Sequence, residues 1–159
     1  MEDLFAEMRV RTELGTGAVW LPGFVDSVAD QLLQHIHSLS QISPFRFMMT
    51  PGGRSMSVAM TSCGACGWYT DKRGYRYVRH DPMTGEHWPD MPDIFRHIAV
   101  AAAQAAGFPD FTPVSCLVNR YEPGTKMGLH PDRDEDDRAS PSVSVSLRVP
   151  ARSSSGGCL

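Results

Sequence analysis

An imidazole and a carboxylate stand two residues apart in the tripeptide His130-Pro131-Asp132. In an extended segment, side chains two residues apart lie on the same face, so both can bind one metal ion. Pro131 favours this arrangement because the residue before a proline is pushed out of the helical region. One histidine and one carboxylate are two of the three ligands in the 2-His-1-carboxylate triad of non-haem Fe(II) oxygenases. The tripeptide taken alone favours a polar surface loop, so its surroundings must decide.

The aspartates that alternate in this stretch also suggest calcium. Asp132, Asp134 and Asp136 have the spacing of the first ligands in an EF-hand loop. That loop needs glycine at its sixth position and glutamate at its twelfth. Asp137 and Val143 occupy those positions here. The sequence therefore excludes a calcium loop of this type.

A second group of metal-ligating residue types begins at Cys63 and Cys66, with His80 and His87 further along the chain. The histidines are more widely spaced than in a zinc finger, and short metal motifs often occur by chance. Two small buried thiols are the simpler interpretation. A small zinc-binding module remains a third and weaker hypothesis for the function.

Residues 68–80 alternate aromatic and basic side chains. The aromatics are Trp68, Tyr69, Tyr75 and Tyr77, and the cations are Lys72, Arg73, Arg76 and Arg79. Aromatic faces stack on bases and cations bind phosphates, so this composition suits an unstacked nucleotide. A solvated hairpin with half-buried aromatics has the same composition, and it is the favoured interpretation of the segment taken alone.

Two segments have the apolar periodicity of helices that could support these residues. The first follows Asp26, a residue type that caps helices, and has apolar residues at Val28, Leu32, Leu33, Ile36 and Leu39. The second is predicted over residues 92–106 and ends at Gly107.

Strands are predicted where polar and apolar residues alternate or β-formers cluster. These segments are 17–21, 55–61, 114–121 and 142–149, with a hairpin around residues 75–77. Residues 1–16 are predicted to be a loose lead-in, and most of residues 62–90 to be loop. The strand over 114–121 would place Asn119 and Tyr121 on one face.

Length and composition are those of one ordinary globular domain. The chain has 159 residues, of which 42% are hydrophobic and 21% charged, and its net charge is −3. This charge argues against a protein that coats nucleic acid in bulk. We find no membrane-spanning run and no signal peptide. Four cysteines without a disulfide framework predict a cytoplasmic location.

Over residues 4–147 the sequence resembles the AlkB family of Fe(II)/2-oxoglutarate-dependent dioxygenases, which repair alkylated bases. The resemblance is carried by Ser43-Pro44-Phe45-Arg46, Thr50-Pro51-Gly52-Gly53, Met56-Ser57-Val58-Ala59-Met60-Thr61, Trp68, Tyr75, Ala106-Gly107-Phe108-Pro109-Asp110-Phe111, the stretch from Asn119-Arg120-Tyr121 to Asp134-Glu135, and Val143-Ser144-Val145-Ser146-Leu147. So many matches at consistent spacing make the resemblance specific.

The resemblance implies a mostly β (α+β) fold, a double-stranded β-helix or jelly roll with N-terminal helices and a nucleotide-recognition lid. It implies direct-reversal repair by oxidative demethylation of alkylated DNA or RNA, single- or double-stranded, with Fe(II), 2-oxoglutarate and O2. No membrane and no obligate protein partner are expected.

The same resemblance assigns roles to individual residues. His130 and Asp132 would be catalytic Fe(II) ligands, and Asn119, Arg120 and Tyr121 would contact 2-oxoglutarate. Trp68 and Tyr75 would clamp the flipped base, with Arg76 and Tyr77 beside it and Asp134 near the base edge.

The chain departs from the family at its C-terminal end. The family needs a distal iron-binding histidine and a downstream arginine for 2-oxoglutarate, and no histidine follows Asp132 here. We therefore expect a partial, truncated dioxygenase domain over residues 1–149 with a jelly roll incomplete at its C-terminus. Residues 150–159 would form a non-homologous tail, for which a reading-frame change is one hypothesis. Such a chain is expected to be inactive alone, and the alternative function is a non-catalytic nucleic-acid-binding remnant.

Overall fold

The computed structural model describes residues 10–127 and 140–147, and within them the protein is mostly β with two α-helices. The strands are β1 (Thr12–Gly15), β2 (Ala18–Trp20), β3 (Arg46–Met49), β4 (Ser55–Gly64), β5 (Gly67–Asp71), β6 (Gly74–Val78) and β7 (Ser115–Arg120). The helices are α1 (Ala29–Ile42) and α2 (Asp93–Ala105).

The central element is the antiparallel sheet β3-β4-β7, in which β4 is the middle strand. Residues 58–63 of β4 are buried on both faces of the strand, because β4 lies between β3 and β7 in the middle of the sheet. In the register of the sheet, Met60 lies opposite Arg46 on one side and Asn119 on the other. Two separate hairpins, β1-β2 and β5-β6, complete the described strands. These sheets do not close into a barrel within the described residues.

The two faces of this sheet have different neighbours. On one face, Leu39 of α1, Cys63 of β4 and Met91 form a buried cluster against which Phe95 of α2 packs. On the other face, Met48, Val58 and Met60 form a second buried cluster, which we call the methionine cluster. The helices therefore cover one face and leave the other to the hairpin β5-β6 and the chain after β7.

Both helices form where the apolar periodicity predicts them, although α1 begins three residues late. Asp26 to Val28 form a 3-10 turn, and α1 itself begins at Ala29. Leu32 and Leu39 are its buried residues, as the spacing requires. Only α1 precedes the central sheet, because α2 lies between β6 and β7. Within the described residues, the predicted N-terminal helices are represented by α1 and the short 3-10 turn before it.

The secondary structure predicted for three segments is wrong. Residues 12–15 are not a loose lead-in but pair with β2 through a turn in which Gly17 has a φ of 77°, a conformation that glycine permits. Residues 62–64 belong to β4 rather than to a loop, since they pair with β7 from Leu117 to Ser115. Residues 141–147 form no strand, since alternation supplies an apolar face but none of the described strands pairs with it; residues 148 and 149 lie outside the described ranges.

Gly67 allows the hairpin to approach the buried indole of Trp88. A Cβ at residue 67 would lie 2.4 Å from Cε2 of Trp88, and the Trp88 Nε1–H donates to the Val78 carbonyl at 2.9 Å. Gly67→Ala is therefore expected to lower the free energy of unfolding by about 1–3 kcal/mol through overpacking. Urea denaturation measures this loss, with Gly52→Ala as control because its Cβ would meet nothing closer than 3.9 Å. Equal stability of the two variants would contradict the close packing.

Neither helix in the described part of the chain combines the length and the apolar character needed to cross a membrane.

Candidate active site

The hairpin β5-β6 presents three aromatic side chains on one face. In its register Trp68 lies opposite Tyr77, and Thr70 lies opposite Tyr75, so these four side chains share a face. The rings of Trp68 and Tyr75 stack, with centroids 5.5 Å apart and planes inclined by 24°. Tyr75 is 47% exposed and Tyr77 is 40% exposed, whereas Trp68 is half-buried. This aromatic face is the surface on which a planar ligand could stack.

Arg76 lies on the opposite face of the hairpin, where it is opposite Tyr69. Its guanidinium lies over the Tyr69 ring, 5.5 Å from the centroid, and donates to the Asp71 carboxylate at 2.8 and 2.9 Å. Asp71 also accepts from the Arg73 backbone amide at 2.8 Å. These bonds, first that of Arg76 and then that of Arg73, hold the pKa of Asp71 far below its usual range. Arg76 therefore already has an anionic partner on the side away from Trp68 and Tyr75.

Two contacts fix the hairpin to the central sheet. Thr70 Oγ1 donates to the Met49 carbonyl at 3.1 Å, which ties β5 to β3. Trp68 and Tyr69 pack against the methionine cluster. The aromatic face is thus held beside the sheet face that carries Met60.

A buried ion pair supports the other end of the hairpin. The Asp81 carboxylate is fully buried and accepts from both terminal nitrogens of Arg46, at 2.7 and 2.6 Å, and from Ser43 Oγ at 2.7 Å. The Met83 backbone amide donates to it at 2.8 Å. Burial alone would raise the pKa of Asp81, but these hydrogen bonds outweigh it and the pKa is lowered. The sequence did not predict this buried ion pair, because Asp81-Pro82 is typical of an ordinary turn.

The residues predicted to contact 2-oxoglutarate lie at the end of β7. Asn119 is exposed and lies opposite Met60, on the sheet face of the methionine cluster. Arg120 points to the other face, where its guanidinium lies 4.6 Å from the Phe45 ring centroid. Tyr121 follows β7 and is 48% exposed. Asn119 and Arg120 therefore lie on opposite faces of the sheet, and no described contact tests the roles predicted for Asn119, Arg120 and Tyr121.

His130, Asp132 and Asp134 lie outside the described residues. The described chain before them ends at Met127, which packs against the methionine cluster together with Trp68. Ser57 Oγ donates to the Lys126 carbonyl at 3.3 Å. The chain that leads to the predicted iron ligands is thus held against β4, on the side of the hairpin.

The candidate zinc residues do not form one cluster. Cys63 lies opposite Cys116 in the sheet, and the hydrogen bond with Cys116, followed by burial, raises the pKa of the Cys63 thiol. His80 and His87 pack on each other, with ring centroids 4.2 Å apart. Within residues 10–127 and 140–147, no three His, Cys, Asp or Glu side chains are arranged to hold a metal ion. The zinc-module hypothesis therefore has no support from the described residues.

Comparison with known proteins identifies related sequences along almost the whole chain. The profile of the 2OG-Fe(II) oxygenase superfamily matches residues 17–157. The alpha-ketoglutarate-dependent dioxygenase AlkB of Escherichia coli K12 is 51% identical over 158 residues, which cover 99% of this chain and 73% of that protein. The AlkB homolog of Caulobacter vibrioides NA1000 is 45% identical over 130 residues, 81% of this chain and 57% of that protein. Human nucleic acid dioxygenase ALKBH1 is 29% identical over 75 residues, which cover 46% of this chain and 19% of that protein.

Proposed function

This chain belongs to the 2OG-Fe(II) oxygenase superfamily, and we propose that its reaction is the oxidative demethylation of alkylated bases in DNA or RNA. The aromatic face of the hairpin carries this proposal. A modified base that has left the helix needs an exposed π-surface close to the reactive centre. Trp68 and Tyr75 provide that surface, and Trp68 packs on the same cluster as Met127.

Enzymes of this family use Fe(II), 2-oxoglutarate and O2. Once bound, this set supplies the oxidation of the methyl carbon, after which the hydroxylated group leaves as an aldehyde. We propose His130 and Asp132 as iron ligands. The described chain before them ends at Met127, which packs on the methionine cluster as Trp68 does, and this supports an iron site on that side of the sheet.

The donor chemistry near β7 fits the co-substrate. Asn119 has an exposed amide on the face of the methionine cluster, and Tyr121 has an exposed phenol immediately after the strand. Amide and phenol donors hydrogen-bond to the carboxylates of a keto acid. Arg120 belongs to the opposite face, where it lies over Phe45 and 3.8 Å from Glu122 Oε1. Arg120 would therefore position the strand rather than contact 2-oxoglutarate directly.

The hairpin residues would orient the base and exclude water from it. Because Trp68 and Tyr75 already stack on each other, a base would bind on the outer face of one ring or between rings that have moved apart. Tyr77 shares this face and extends the aromatic surface. Asp134 would approach the edge of the base. The jelly-roll topology and a cytoplasmic location remain parts of the proposal.

Turnover with a methylated substrate tests the function. Protein purified without oxygen is supplied with Fe(II), 2-oxoglutarate and a methylated single-stranded oligonucleotide, and succinate and aldehyde are measured after air is admitted. Matched production of both supports the proposal and shows that the expectation of an inactive chain is wrong. Binding of the oligonucleotide without turnover identifies a nucleic-acid-binding remnant, whereas neither binding nor turnover refutes both functions.

Removal of the Trp68 ring should weaken nucleic-acid binding. Trp68→Ala is expected to reduce affinity for a methylated single strand by about 1–3 kcal/mol, the usual contribution of stacking on one base. Fluorescence anisotropy of a labelled oligonucleotide measures this change. Trp20→Ala is the matched control, because Trp20 is 55% exposed on the separate hairpin β1-β2. Unchanged binding by a folded Trp68→Ala protein would restrict Trp68 to packing on the methionine cluster.

A further inference from the structure

We propose that Asp71 is a positioning residue for nucleotide binding. It holds Arg76 on the hairpin face opposite Trp68 and Tyr75, and thereby keeps these two rings aligned for a base. This inference rests on the proposed function and adds to it a residue outside the aromatic face. It also gives Arg76 a different role from direct contact with the base.

Asp71 and Arg76 join the two strands of the hairpin next to its turn. Asp71 is the last residue of β5 and lies opposite Gly74, the first residue of β6. Both terminal nitrogens of Arg76 donate to the Asp71 carboxylate, and Arg76 Nη1 also donates to the Gly74 carbonyl at 3.0 Å. Arg73 within the turn adds its backbone amide at 2.8 Å and its side chain at 3.3 Å. The carboxylate therefore links β5, the turn and β6.

This link continues through Tyr69 to the interior. Arg76 lies over the Tyr69 ring, and Tyr69 packs against the methionine cluster, as does Trp68 from the same strand. The guanidinium is thus held between Asp71 and an aromatic ring that is itself fixed. A paired and stacked arginine has little freedom to reach a phosphate on the other face. The face that carries Tyr69, Asp71 and Arg76 therefore stabilises the hairpin, and the aromatic face remains available to the ligand.

The pair should persist under ordinary conditions. Because Arg76 and the Arg73 amide hold the pKa of Asp71 far below its usual range, the carboxylate stays charged at neutral pH. The two side chains are 29% and 28% exposed, so salt screens their attraction only in part. The bidentate geometry also fixes the orientation of the guanidinium as well as its distance.

The test measures the dissociation constant of a methylated single strand for the 159-residue chain and its variants over a range of salt concentrations. Asp71→Asn is expected to weaken binding about three- to fivefold, in line with an ion pair at the surface. Arg76→Lys, which keeps the charge but not the bidentate bond, should weaken binding to a similar extent. The salt dependence should keep its slope in both, because no phosphate contact is lost.

Two further variants separate positioning from a general loss of structure. The exchange Asp71→Arg with Arg76→Asp should restore much of the affinity, and Asp93→Asn, an exposed residue in the first turn of α2, should leave it unchanged. Thermal unfolding of each variant confirms that it is folded. If Asp71→Asn does not fold, Arg76→Lys and the exchange variant decide the matter.

Other outcomes overturn the proposal in distinguishable ways. Tighter binding by Asp71→Asn, with a salt slope steeper by about 0.7, would mean that Asp71 competes with phosphate for Arg76. Unchanged affinity in both single variants would make the pair irrelevant to binding. Absence of binding by the parent protein would refute the nucleic-acid function itself, and this inference with it.

Discussion

Asp81→Ala is expected to lower the free energy of unfolding by about 3–5 kcal/mol, the usual cost of removing one partner of a buried ion pair. The Arg46 side chain is only 8% exposed, so its charge would stay buried without a carboxylate. Ser43 Oγ and the Met83 amide would lose their acceptor as well. These groups connect the end of α1, the start of β3 and the loop after β6. Urea denaturation with two-state analysis measures the loss.

Two comparisons show whether the buried pair is the cause. Asp71→Ala should cost much less, because that carboxylate is partly exposed to water. Combining Asp81→Ala with Arg46→Met should recover stability, because no charge is then left buried without a partner. A loss equal to that of Asp71→Ala would contradict the importance of the Asp81 site.

The same carboxylate predicts a dependence of stability on pH. The pKa of Asp81 is lower in the folded protein than in the unfolded chain, where an aspartate has a pKa of about 3.9. Its contribution is therefore present above that pH and is lost as the pH falls through the lower folded value. The stability of the parent protein should approach that of Asp81→Asn in this acidic range. A constant difference between the two down to the lowest pH at which both fold would contradict this linkage.

His130→Ala and Asp132→Ala are each expected to weaken Fe(II) binding by more than about 100-fold. Loss of a residue that only orients a ligand already costs about 10–100-fold in metal affinity, and removal of a ligand itself should exceed that cost. The expectation depends on the proposal that these two side chains bind one iron ion beside the methionine cluster. Equilibrium dialysis against Fe(II) under oxygen-free conditions, with 2-oxoglutarate present, measures the affinity.

His97→Ala is the matched control for this experiment. His97 is exposed on α2, and that helix packs through Phe95 on the sheet face away from the methionine cluster. Its loss should leave iron binding unchanged. Equal iron binding by the parent protein and His130→Ala would place the iron at other residues and remove the basis for the assigned ligands.

The local sequence determined much of the secondary structure. Apolar periodicity located α1, α2, β4 and β7, and the sequence indicated a hairpin around residues 75–77, which form part of strand β6. These elements are recognisable because their buried faces repeat with the period of a helix or strand. The resemblance to AlkB proteins also came from the sequence alone, since spaced motifs such as Asn119-Arg120-Tyr121 and His130-Pro131-Asp132 do not depend on knowing the fold.

Tertiary structure decided which of these side chains meet. Asp81 and Arg46 are 35 residues apart, and only the packing of the loop after β6 on β3 brings them together. The register of β5 against β6 decided that Trp68 shares a face with Tyr75 and not with Arg76, since a shift of one residue would move Trp68 to the face of Arg76. Residue types and spacing thus identified the family and the candidate site residues. The partner of each charged group depended on strand register and long-range contacts, which local periodicity does not specify.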